Sequence, residues 1–163
     1  MATNKYSFKL KSYLSELKTL CQHLSHFGQV YGLSETLISE INICLDELFT
    51  NIVLYGFEDD LEHIIRFRIN LNGNALILNI EDNGIPFNPL IKKDSELPAD
   101  INKAQIGGLG IHIAKKLMDD IWYERKLGKN RLTLKKFIHA TSHPPEPAHT
   151  LCKQNHSPAA SFY

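Results

Sequence analysis

The chain has little of what would tie it to a membrane, a disulfide framework or a polyanion. Its net charge is zero, 18 Lys and Arg against 18 Asp and Glu in 163 residues, so no global field draws it to nucleic acid or to an anionic bilayer. Any partner has to be recognised locally. No uninterrupted apolar run approaches the roughly 20 residues that span a bilayer, and the N-terminal MATNKYSFKL has no apolar signal-peptide core. The expectation is a cytoplasmic protein with no membrane contact and no direct nucleic-acid contact. The three cysteines, Cys21, Cys44 and Cys152, are odd in number and far apart, which fits neither a disulfide framework nor paired metal ligands. Cys21 and Cys44 read as small core residues.

What is present suits one packed domain: 43% hydrophobic and 22% charged residues are ordinary for a globular protein, and the length allows one core. Between Ser12 and Val30, Leu14, Leu17, Cys21, Leu24 and Phe27 recur at helical spacing, which predicts a helix ending near Gly32. A second helix is expected after Ser34, a suitable N-cap, with Leu37, Ile41, Cys44, Leu45, Leu48 and Ile52 on one face and Gly56 as its end. Alternation then takes over. Ile65, Phe67, Ile69 and Leu71, then Asn72-Gly73, then Leu76, Leu78 and Ile80 read as a hairpin with one apolar face turned to the helices.

Residues 85 to 107 keep no period and contain Pro86, Pro89 and Pro98; so long an irregular stretch inside a domain predicts a mobile lid. A short helix follows with Ile111, Ala114, Leu117 and Met118 inward, and then a hairpin from about Ile121 to Phe137 turning at Gly128-Lys129-Asn130. From His139 the chain is rich in Pro, His, Ser and Ala and reads as a flexible tail. The expected domain is therefore 1–138, with a tail at 139–163. The spacing of the tail histidines specifies no metal geometry.

Three features carry chemistry. In CLDELFTNIVLYGF, Glu47 and Asn51 stand four residues apart on one helical face. At ~100° per residue both fall at the margin of the apolar stripe, and Asp46 points roughly opposite its centre, into solvent. A carboxamide oxygen suits Mg²⁺ and a neighbouring carboxylate suits proton removal from an attacking hydroxyl, although an isolated pair of this kind also reads as a plain solvated helix edge. Asp82 continues the parity of Leu76, Leu78 and Ile80, so it points inward where its strand ends and needs a donor there, for which a ligand's amino group would serve; Asp-Asn-Gly is also ordinary turn chemistry. Gly107-Gly108-Leu109-Gly110 precedes the helix that begins at Ile111, a backbone that can approach a phosphate closely at a helix start, or simply a hinge. No Walker A, H-R-D or D-F-G set is present.

In this order the features resemble the GHKL ATPases over roughly residues 4 to 138. DELFTNIVLYGF, EDNGIPFNP and GGLGIHIAKKLMDDIWYER are similar to the anti-sigma factor serine/threonine kinase branch, the relatives of RsbW. The resemblance implies an α+β two-layer sandwich, the Bergerat fold: a mixed, mainly antiparallel sheet covered on one face by about three helices, with an ATP lid. It further implies Glu47 as general base, Asn51 as Mg²⁺ ligand, Asp82 as acceptor for the adenine amino group, and Gly84 as a close-packing position near the base. Gly107, Gly108, Leu109, Gly110 and Ile111 would form the phosphate side of the ATP site. Pro86 stands where a second glycine is frequent. Asn130 replaces the usual adenine-site threonine and shares the parity of Leu132 and Leu134, whereas Thr133 has the opposite parity.

Two functions follow from this resemblance. One is a protein kinase that phosphorylates an anti-anti-sigma (STAS) protein and holds a sigma factor, with a homodimer compatible with that branch. The other is an ATP-gated binding module with negligible phosphoryl transfer. A histidine-kinase catalytic domain would need a dimerising helical segment with a phosphoacceptor histidine, and His23 and His26 on the first helix read as ordinary side chains.

Overall fold

A computed structural model describes residues 4–91 and 109–138. Among these, one five-stranded sheet lies against three α-helices. The strands are β1 (Asn4–Lys11), β2 (Ile64–Asn72), β3 (Ala75–Asp82), β4 (Asp120–Lys126) and β5 (Lys129–Phe137), and the helices are α1 (Leu17–Tyr31), α2 (Glu35–Tyr55) and α3 (Leu109–Leu117). The sheet order is β1-β2-β3-β5-β4. All four pairings are antiparallel, so the sheet is antiparallel throughout rather than mixed. Strand parity decides which face is covered: Phe67, Ile69, Leu76, Leu78, Ile80 and Leu134 are buried toward the helices.

The local signals explain the helix ends. The Ser34 hydroxyl accepts a hydrogen bond from the Leu37 N–H at 3.2 Å, capping α2, and α1 stops at Gly32 in the left-handed region, φ 64°. On α1 the buried stripe is Leu20, Leu24, Phe27 and Gly28. Cys21 lies one residue off that stripe and is exposed, so it is not the core residue its apolar spacing suggested. Cys44 is fully buried, and burial pushes its thiol up to about 11. His23 packs structurally: it stacks on Phe8 and its Nδ1 meets the Tyr6 hydroxyl at 2.6 Å.

Both hairpin turns sit one residue away from the positions expected. In the first, Asn72 pairs with Ala75, so Gly73, φ 59°, and Asn74 make the turn. In the second, Lys126 pairs with Lys129, and Leu127 and Gly128 turn with φ 52° and 75°, the two positive values a tight primed turn requires. That shift places Asn130 inside β5, paired with Asp82 on one side and Arg125 on the other. The expected lid at 85–107 falls largely outside the described residues, which reach Ile91 through a short 3-10 turn at Pro89–Ile91. The tail at 139–163 also lies outside them.

Candidate functional site

Beyond the C-terminal end of β3 the chain leaves the sheet under tight constraint. The Ile85 N–H donates to the Gly56 carbonyl at 2.8 Å, tying the exit of β3 to the end of α2. A Cβ on Gly84 would lie 2.1 Å from that same carbonyl oxygen, so only glycine permits this approach. Above the contact, α2, the start of α3 and the inward faces of β3, β4 and β5 enclose a cavity of about 250 Å³. Its walls are mostly apolar, with Leu48, Ile52, Ile80 and Leu132 among them, and a few polar groups converge on it: Asn51, Asp82, Tyr123 and Asn130. An apolar pocket with few oriented polar groups is the usual form of a small-molecule site.

Asp82 is 6% exposed. Its Oδ1 accepts from the Gly84 N–H at 2.8 Å and from Asn130 Nδ2 at 2.7 Å; Oδ2 takes part in neither bond. Burial raises its pKa above the ordinary carboxylate value, against the opposing effect of Asn130, Gly84 and the Arg125 charge. The folded protein therefore holds this proton over a window where the unfolded chain has already released it, and ionised Asp82 costs folding stability above that window. A ligand that donates to Asp82 is held more strongly by the ionised form, whose oxygens both accept and carry the charge. Affinity for such a ligand should thus be full above the raised pKa and fall as pH drops through it, a loss absent from an Asp82→Asn variant. Titrating ATP affinity from neutral toward acid pH in both proteins checks this.

Asn130, 7% exposed, reaches the cavity as the partner of Asp82. Its Nδ2 donates to Asp82 and to the Ile85 carbonyl at 2.9 Å, and its Oδ1 accepts from the Tyr123 hydroxyl at 2.8 Å and from Arg125 at 2.7 Å. Both amide hydrogens and both lone pairs are engaged within the protein, so Asn130 has no group left to offer a ligand directly and could reach one only through Asp82. Thr133 lies on the opposite sheet face, where its hydroxyl accepts from Asn79 at 3.3 Å.

Of the other residues singled out in the sequence, Asn51 and Ile111 line the cavity. Glu47, one helical turn before Asn51, is half-buried and lies outside the cavity wall. Leu109 and Gly110 open α3; Gly107 and Gly108 lie outside the described residues. Asp46 is not solvated as its helical angle suggested. It is half-buried, accepts from Asn42 at 3.2 Å, and has its other oxygen, Oδ1, buried without a partner. Burial, then the Glu47 charge, raises its pKa. The reason is Phe49, fully buried, which widens the buried arc of α2 to within ~60° of Asp46. Sequence reading missed Tyr123 and Arg125, although Ile121, Tyr123 and Arg125 alternate along β4 and pair with Leu134, Leu132 and Asn130.

Among the described residues no group of three or more His, Cys, Asp or Glu could hold a metal ion. The donor that is present, the Asn51 carboxamide in the cavity wall, fits an ion held by one or two protein oxygens and completed by ligand phosphates, the habit of Mg²⁺.

Residues 10–136 match the family model described as histidine kinase-like ATPase domain, and the chain belongs to that family, the GHKL type. It is 30% identical over 111 residues to the serine/threonine-protein kinase BtrW of Bordetella bronchiseptica, spanning 68% of this chain and 78% of that one. It is 26% identical over 106 residues to an anti-sigma F factor of Clostridium kluyveri, spanning 64% and 74%. Within the family these relatives place it in the anti-sigma factor serine/threonine kinase branch. The solved RsbU and RsbW domains of a Mycobacterium tuberculosis protein superpose with a TM-score of 0.60 at 17% identity over 82% of this chain, a likeness of fold. This chain spans 32% of that one.

Proposed function

We propose that the chain is an ATP-dependent protein serine/threonine kinase whose substrate is a serine of an anti-anti-sigma (STAS) protein and whose competing partner is a sigma factor. The observation that carries the reading is the convergence of Asn51 and Asp82 on one apolar cavity, with Glu47 one helical turn from Asn51. Asp82 accepts the adenine amino group, and Gly84 keeps the backbone beneath it close to α2. The start of α3, from Leu109 to Ile111, offers its N–H groups to the phosphates, and Gly107 and Gly108 just before it in sequence belong to the same phosphate side in this reading. Asn51 offers its carboxamide oxygen to Mg²⁺, which when bound offsets phosphate charge. The Glu47 carboxylate takes the proton of the serine hydroxyl as its oxygen forms the new bond to the γ-phosphorus and the bond to the ADP leaving oxygen breaks.

The chain works in the cytoplasm in this reading; no helix among the described residues is long and apolar enough to cross a membrane. Its test is transfer of label from γ-labelled ATP to a purified STAS protein with Mg²⁺. Labelled STAS serine is the expected result. ATP-dependent binding of that partner with no label transferred would leave an ATP-gated binding module instead.

A further inference from the structure

Arg125 and Tyr123 stand behind Asn130, and none of the three is explained by catalysis. Arg125 Nη1 donates both to Asn130 Oδ1 at 2.7 Å and to the Gly84 carbonyl at 3.0 Å, so one guanidinium joins β4, β5 and the turn after β3. The Tyr123 hydroxyl donates to the same Asn130 oxygen. The opposite end of the carboxamide meets only acceptors, Asp82 Oδ1 and the Ile85 carbonyl.

A carboxamide can be turned end for end, and its neighbours decide which way it stands. The tyrosine hydroxyl would tolerate either orientation, since it can donate or accept. Arg125 tolerates one. A guanidinium has no acceptor, so a turned carboxamide would set N–H against N–H at Arg125 and oxygen against oxygen at Asp82 and Ile85. The turned arrangement becomes reachable only if Asp82 carries a proton and donates it to Asn130 or to a ligand. Burial favours that protonated form, and the nearby Arg125 charge opposes it.

We propose that Arg125, supported by Tyr123, is the residue that sets purine selectivity: it locks Asn130 so that Asp82 meets the base as an acceptor only. An acceptor-only carboxylate takes an exocyclic amino group and repels a ring carbonyl at the same position. The site then selects a 6-amino purine over a 6-oxo purine through a side chain that touches neither. This rests on the reading of the cavity as an ATP site. Arg125 is a positioning residue, and the lock is legible in this chain because asparagine, which can turn, stands where a threonine would not need one.

The test compares ATP with inosine triphosphate, in which a carbonyl replaces the amino group, by calorimetric titration of the full chain. The wild type should prefer ATP by on the order of 100-fold, since a mismatched buried acceptor pair is left unsatisfied. Arg125→Ala should cut that preference about tenfold, by weakening ATP and sparing inosine triphosphate. Arg125→Lys, which keeps one donor, should retain most of the preference, and Tyr123→Phe should lower it by less than Arg125→Ala does. Arg125 is exposed, so its variants should fold, with circular dichroism as the check. Equal weakening of both nucleotides, or an unchanged ratio in Arg125→Ala, overturns the lock while leaving the ATP site intact. A wild type that binds neither nucleotide overturns the ATP reading itself, and the lock with it.

Discussion

Replacing Glu47 with alanine should reduce phosphoryl transfer to the partner's serine by about 10²–10⁴-fold, the range supplied by a positioned general base, while ATP affinity changes by no more than a few fold. The separation follows from the layout of α2. Asn51 faces the cavity proposed to take the nucleotide, whereas Glu47 lies one turn toward the N-terminus and outside that wall, on the side assigned to the partner's hydroxyl in the proposed mechanism. Initial rates with labelled ATP, paired with nucleotide titration, read the two effects independently. Asp46→Ala is the matched control. Asp46 is held by Asn42 and keeps one oxygen buried without a partner, so its removal should act on stability and leave the rate of transfer nearly unchanged. Full transfer by Glu47→Ala would remove Glu47 from the mechanism and leave ATP binding as the role the cleft's geometry still supports.

The contrast between Glu47 and Asp46 also shows what a sequence of this kind discloses. Period-3.6 and period-2 patterns were enough to find both long helices and both hairpins, because each element has one apolar face to bury. Parity aimed Asp82 and Asn130 inward, since a strand cannot turn one side chain without turning all of them. Asp46 failed because the width of the buried arc on α2 depends on Phe49, whose burial is decided by what packs over it; its ring lies 6.1 Å from that of Phe67. Cys21 failed for the opposite reason, a narrow stripe on α1. The Asn130 network was beyond pattern reading, because a turn displaced by one residue sets which residue of β4 pairs with Asn130, and that pairing puts Arg125 beside it.

Among the described glycines, Gly84 is the one where an added methyl group meets the closest contact, the Gly56 carbonyl. In Gly84→Ala the added carbon would stand 2.1 Å from the Gly56 carbonyl oxygen, 2.9 Å from its carbon and 3.0 Å from Asp82 Oδ1. Backbone on one side and a buried carboxylate on the other leave no flexible side chain to yield. The exit of β3 must therefore move away from α2, stretching the Ile85 to Gly56 hydrogen bond and displacing Asp82 from its place in the cavity wall. Overpacking of this severity costs about 3 kcal/mol, and at about 2–4 °C per kcal/mol for a domain of this size the melting temperature should fall by about 10 °C. ATP affinity should fall with it, and saturating nucleotide should recover little of the lost stability. Gly73→Ala separates this clash from the general cost of replacing a glycine. Gly73 has φ 59° with nothing within 4 Å of an added Cβ, so its variant carries only the left-handed backbone penalty of about 1–2 kcal/mol and should bind ATP as the wild type does. A Gly84→Ala protein that melted with Gly73→Ala and kept wild-type ATP affinity would show that Asp82 does not depend on this contact for its position.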